Sequence, residues 1–97
     1  MDFETYKGSL AQDTPPEELS PAAQALWWEA KGDWNKAHEC AQAQDDLTGA
    51  RVHAYLHRRE GDATNARYWY RQNGETLPST PLEVEWESLA RTLLAEI

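Results

Sequence analysis

One nine-residue pattern occurs twice in this chain and constrains its fold more than any other feature. Ala25-Leu26-Trp27-Trp28-Glu29-Ala30-Lys31-Gly32-Asp33 aligns with Ala54-Tyr55-Leu56-His57-Arg58-Arg59-Glu60-Gly61-Asp62 at an offset of 29 residues. Past the shared Gly-Asp pair, Ala37 falls on Ala66 and Ala41 on Tyr70. Glycine suits the residue that ends a helix, because it alone adopts the left-handed conformation at no steric cost. Aspartate suits the next position, where its carboxylate accepts from the first free N–H groups of a new helix. Each unit therefore spells helix, tight turn, helix. The alanines on both sides of each turn let the two helices approach closely. Repetition at a period of a few tens of residues is the mark of stacked helical units.

Local signals extend this pattern along the chain. Ser20-Pro21 is a helix start, with serine as cap and proline in the first turn, and Gly32 is its stop. Trp34, Ala37, His38 and Ala41 recur at helical spacing after Asp33. Gln44-Asp45-Asp46 with Gly49 marks a break, and a third helix is expected from about Thr48 to Glu60, with Val52, Tyr55, Leu56 and Arg59 as one stripe. Asp62 opens a fourth, which sets Ala66, Trp69, Tyr70 and Asn73 on one side before Asn73-Gly74 ends it. Thr80-Pro81-Leu82-Glu83 reads as a capping box for a fifth, carrying Leu82, Trp86, Leu89, Leu93 and Ile97. Residues 1–14 show no clean period and read as an arm held by Phe3, Tyr6 and Leu10. No stretch alternates β-branched residues, so strands are not expected. The expectation is one all-α domain over residues 1–97, with an N-terminal arm (1–19), two antiparallel helical hairpins (20–74) and a closing helix (80–97) that caps the end of the array.

The first repeat unit, with Ala25, Gly32-Asp33-Trp34 and Ala37, resembles the tetratricopeptide repeat. The second, with Ala54, Gly61-Asp62 and Ala66, resembles it with Ala63 in place of the aromatic. The likeness covers about residues 21–74, at a period of 29 rather than the family's roughly 34. It implies stacked helical hairpins and a protein-binding role. The run from Val52 to Asp62, followed by Asn65-Ala66-Arg67-Tyr68-Trp69-Tyr70, is also similar to a family of small uncharacterised, mostly bacterial proteins, as is the segment from Trp27 to His38. That second resemblance implies no activity.

Charge narrows the partners. Nine basic residues face 17 acidic ones, a net charge of −8 that repels nucleic acid and anionic membranes. No apolar run approaches the roughly 20 residues of a membrane span. Met1-Asp2-Phe3-Glu4 lacks the basic and apolar regions of a secretory leader. With Cys40 as the single cysteine, an internal disulfide is excluded, and a cytoplasmic location is expected.

Against this acidic background, residues 51–74 carry five arginines and two carboxylates. The same segment holds His53, His57, Arg58, Arg67, Tyr70 and Arg71, with Tyr68 and Trp69 interleaved. Arginine beside tyrosine and tryptophan is the chemistry of a protein-binding hot spot. The same groups would equally serve as a buried polar network inside a small helical core. His53 and His57, four apart on one helical face, could chelate a divalent metal with His38 or Glu60 nearby. Zinc sites take three or four protein ligands, and only two are assured here, so zinc is expected to bind weakly or not at all. Cys40 lies in mid-helix without a nucleophile elbow, and no phosphate loop or dinucleotide fingerprint is present. The expected function is a noncatalytic interaction or scaffold module, without a cofactor, whose unknown protein partner offers an acidic or phosphorylated segment. The alternative is a small-molecule-binding or hydrolytic protein using His53, His57 and Arg67. The acids Glu83, Glu85 and Glu87 compete for the same arginines from within.

Overall fold

The computed structural model describes residues 1–95, so the expectation for Ile97 lies outside the described residues. Among the described residues six α-helices follow one another: α1 (Phe3–Gly8), α2 (Pro21–Ala30), α3 (Trp34–Ala43), α4 (Leu47–Glu60), α5 (Ala63–Gln72) and α6 (Leu82–Ala95). A 3-10 turn, Ser9–Ala11, extends α1. The fold is all-α, and no strand occurs among the described residues.

The helices begin and end where the local chemistry directs. Ser20 Oγ accepts from the Ala23 N–H at the start of α2. Asp33 and Asp62 accept from the N–H groups of Lys36 and Asn65, each at 3.1 Å. Gly32 and Gly61 both take left-handed backbone, with φ of 86° and 88°. Their turns are the same at the level of individual hydrogen bonds. Gly32 N donates to Glu29 O and Asp33 N to Trp28 O; Gly61 N donates to Arg58 O and Asp62 N to His57 O. This 5→2 and 6→1 pairing closes a helix and satisfies carbonyls that the helix end leaves free. The turns hold α2 against α3 and α4 against α5 as two hairpins.

Two local features depart from expectation. Gly49 lies inside α4, not at a break, because a Cβ there would stand 1.8 Å from the Gln44 backbone oxygen. The glycine lets α4 start against the end of α3. The start of α6 is also not built as a capping box. The Pro81 carbonyl accepts from Val84 and Glu85, while the Thr80 carbonyl is taken by Arg58.

The segment expected as an arm is helical and belongs to the core. Asp2 caps α1 through the Thr5 N–H. Phe3 and Tyr6 are buried, and the Tyr6 hydroxyl donates to the Ala23 carbonyl of α2 at 2.7 Å. Trp27 Nε1 donates to Ser9 Oγ, which in turn donates to the Tyr6 carbonyl. Lys31 Nζ holds the carbonyls of Leu10 and Gln12. The adjacent tryptophans divide as helix geometry requires: Trp27 is fully buried, and Trp28 is half-buried under the Lys36 ammonium.

The main core joins Tyr6, Leu26, Trp27, Val52, Tyr55 and Leu56 with Leu89, Ala90 and Leu93. α6 lies across α2 and α4 and touches α1, with Trp86 Nε1 donating to the Leu26 carbonyl. It closes the core and also meets the second hairpin, through Glu85 with Arg51, Arg58 and Tyr70. α5 packs chiefly on α4, through Ala66 and Tyr70 against Ala54. Its opposite face, with Arg67, Tyr68 and Arg71, is exposed.

Candidate functional site

The structure distributes the six candidate residues over three places. Arg58 and Tyr70 enter a buried ionic network, His53 and His57 enter an imidazole–indole cluster, and Arg67 and Arg71 stay on the surface.

The network is centred on Glu85 of α6, whose side chain is only 4% exposed. Arg51 Nη1 donates to Glu85 Oε2 at 2.8 Å, and Arg58 Nη1 donates to Oε1. The Tyr70 hydroxyl also donates to Oε2. Arg51 and Arg58 lie seven residues apart on α4, two helical turns, so both guanidiniums reach the same side. Arg51 also stacks over the Tyr70 ring and pairs with Glu75. Burial and the Glu85 carboxylate together drive the Tyr70 hydroxyl well above its ordinary pKa. The group ties α4, α5 and α6 together. Of the three C-terminal acids expected to compete for arginines, Glu85 holds two. Glu87 pairs instead with Arg91 of its own helix, and Arg59 pairs with Glu29 of α2.

The second cluster is built from α3, α4 and α5. His38 follows Trp34 by one turn of α3, and their rings stack at 4.7 Å with planes 16° apart. His53 and His57 stack one turn apart on α4, at 4.7 Å between centroids. Trp69 of α5 covers His53 at 4.1 Å. The Trp34 indole is anchored by donating Nε1 to the Leu56 carbonyl. Between the two tryptophans, His38 Nε2 and His53 Nε2 share a hydrogen bond of 2.7 Å. One of these nitrogens carries the proton and the other accepts. Ligating nitrogens of all three histidines lie within 4.8 Å of one another. Outside them, Glu60 takes the Nδ1 side of His57 at 3.1 Å. Burial, with the neighbouring imidazoles, lowers the pKa of His53 to about 4. Burial, followed by the charge of His57, also lowers that of His38. Both rings are therefore neutral at pH 7, and the hydrogen bond between them engages both Nε2 atoms.

The third place is the outer face of α5. Arg67 and Arg71, one turn apart, line a groove with Glu75, Thr76 and Leu77. Tyr68, 54% exposed, lies beside them and meets Trp69 edge-on. Among the described residues, neither arginine forms an ion pair. Arg67 and His53 line different grooves. Cys40 is half-buried, and burial, reinforced by Glu39, pushes its thiol pKa up, away from a nucleophilic thiolate.

Local sequence signals could not place Arg51 and Glu85 together, since 34 residues separate them. Trp34 and Trp69 were legible as core aromatics, but not as walls around imidazoles. No family model, curated protein or solved structure matches the chain.

Proposed function

We propose that the chain is a noncatalytic interaction module whose α5 face receives an acidic or phosphorylated segment of a partner protein. One observation carries this: Arg67 and Arg71 are exposed and unpaired among the described residues, while Arg51, Arg58 and Arg59 are paired with Glu85 and Glu29. Two guanidiniums one helical turn apart can take a carboxylate pair or a phosphate through charge-assisted hydrogen bonds. Tyr68 and Leu77 add apolar contact beside them. The tetratricopeptide-like hairpins support the same role, since helical repeats present surfaces to protein segments. The net charge of −8 favours a protein over nucleic acid or an anionic membrane. The single free cysteine supports a reducing, cytoplasmic setting. No described helix is long and apolar enough to cross a membrane.

Fluorescence anisotropy with a labelled acidic peptide and its phosphoserine counterpart tests the proposal. Binding should weaken steeply with salt and be lost in the Arg67→Glu/Arg71→Glu double variant. Failure of both peptides to bind, or binding indifferent to the charge reversal, removes it.

A further inference from the structure

We propose that His38, His53 and His57 form a three-histidine site for a borderline divalent transition metal, zinc being the reference ion. Sequence spacing assures two of these ligands; the packing of α3 on α4 supplies the third. The three nitrogens come from two helices already fixed by the core, with Ala37 and Ala41 on one side and Val52 and Leu56 on the other. Their mutual separations stay within 4.8 Å. Two nitrogens on one tetrahedral zinc stand about 3.3 Å apart, given Zn–N bonds of about 2.0–2.1 Å. The His38–His53 pair, at 2.7 Å, needs to open by a fraction of an ångström. His57 needs a side-chain movement that closes separations of up to 4.8 Å by as much as about 1.5 Å.

The surroundings suit a cation. Glu60 faces His57 Nδ1, which leaves Nε2 as the ligating atom and orients the ring from outside, as carboxylates do behind metal-bound histidines. Metal binding needs the lone pairs of both His38 Nε2 and His53 Nε2. The proton they share therefore passes, through solvent exchange, to Nδ1 of the ring that carried it, with no net loss. Trp34 and Trp69 hold the His38 and His53 rings between flat apolar faces. An open cavity beside His53 and Trp69 is lined by Asp45 and Asp46, a path that attracts cations. Three imidazoles complete three of four tetrahedral positions and leave one for water or an exogenous ligand. Imidazole donors suit zinc, copper and nickel rather than magnesium or calcium.

The chain contains three histidines, so their side-chain nitrogens can be followed individually by long-range ¹H–¹⁵N correlation NMR. Metal-free protein titrated with zinc should bind one equivalent with a sub-micromolar Kd, by competition with a chromophoric chelator. The Nε2 resonances of His38, His53 and His57 should all move to the values of ligated nitrogen at that one equivalent. His57→Gln and His38→Gln should each weaken binding by at least about 100-fold, and Glu60→Gln by roughly 10–100-fold. The spectra of wild-type protein decide the question even if a variant folds poorly. A Kd weaker than micromolar, or movement of two or fewer of the three nitrogens, overturns the site. So does zinc affinity that survives both histidine substitutions in folded protein.

Discussion

Gly49 shows how much one missing methyl can decide. A Cβ there would meet the Gln44 oxygen at 1.8 Å and the Gln44 carbonyl carbon at 2.9 Å, both backbone atoms that cannot swing aside. Gln44 in turn holds the first turn of α2, its Oε1 accepting from the Ala22 N–H at 2.9 Å. Gly49→Ala should therefore destabilise by about 1–3 kcal/mol, in spite of alanine's better helix propensity, and loosen the α2–α3–α4 junction. Urea denaturation measures this; unchanged or raised stability contradicts the contact. Asp33 acts more locally. Asp33→Ala removes the acceptor for the Lys36 N–H and should cost about 1 kcal/mol in the same measurement. Such caps were legible in sequence because donor and acceptor lie three residues apart. The role of Gly49 was not, because its neighbour belongs to a turn whose path the residue types alone do not fix.

Among the helices, α1 best shows what periodicity conveys and what it omits. Its six residues are too few to repeat a stripe, with Gly8 the last of them and Ser9 following at once. Its order comes from elsewhere: Ala23 and Trp27 of α2 and Trp86 of α6, none closer than 17 residues. Phe3 meets the Trp86 ring edge-on at 5.9 Å, and the Arg91 guanidinium lies over the Phe3 ring. An arm loosely resting on the body would tolerate Phe3→Ala. A helix that completes the core should not, and the expected loss is about 3 kcal/mol, read by thermal melting and near-UV circular dichroism. A change below about 0.5 kcal/mol would return the segment to an arm. The helices α2, α3 and α5 were legible because each starts on a serine or aspartate cap, and the stops of α2, α4 and α5 at Gly32, Gly61 and Gly74 share one turn geometry. The histidine cluster was half legible: the i, i+4 spacing of His53 and His57 could be read directly, whereas His38 joins them only through the crossing of α3 and α4.

At the scale of the whole molecule, the basic segment separates into arginines that build the fold and arginines left on its surface. α6 places Glu85 between Arg51 and Arg58, and Tyr70 completes the group from α5. A carboxylate in this position compensates two largely buried guanidiniums; removing it leaves them facing each other without a counter-charge. Arg67 and Arg71 carry no such duty among the described residues, and their charge is free for a partner. Sequence composition showed the excess of arginine but not this division, since the deciding acid lies 27 and 34 residues from its partners. Thermal denaturation of two variants side by side tests the division most directly. Glu85→Ala should cost roughly 3 kcal/mol, by the usual loss on breaking a buried ion pair. At about 4–8 °C per kcal/mol for a domain of this size, Tm should fall by roughly 12–24 °C. Arg67→Glu/Arg71→Glu should leave Tm within about 3 °C, as surface substitutions do. A double variant that melts as early as Glu85→Ala, or a Glu85→Ala protein as stable as wild type, would contradict the account.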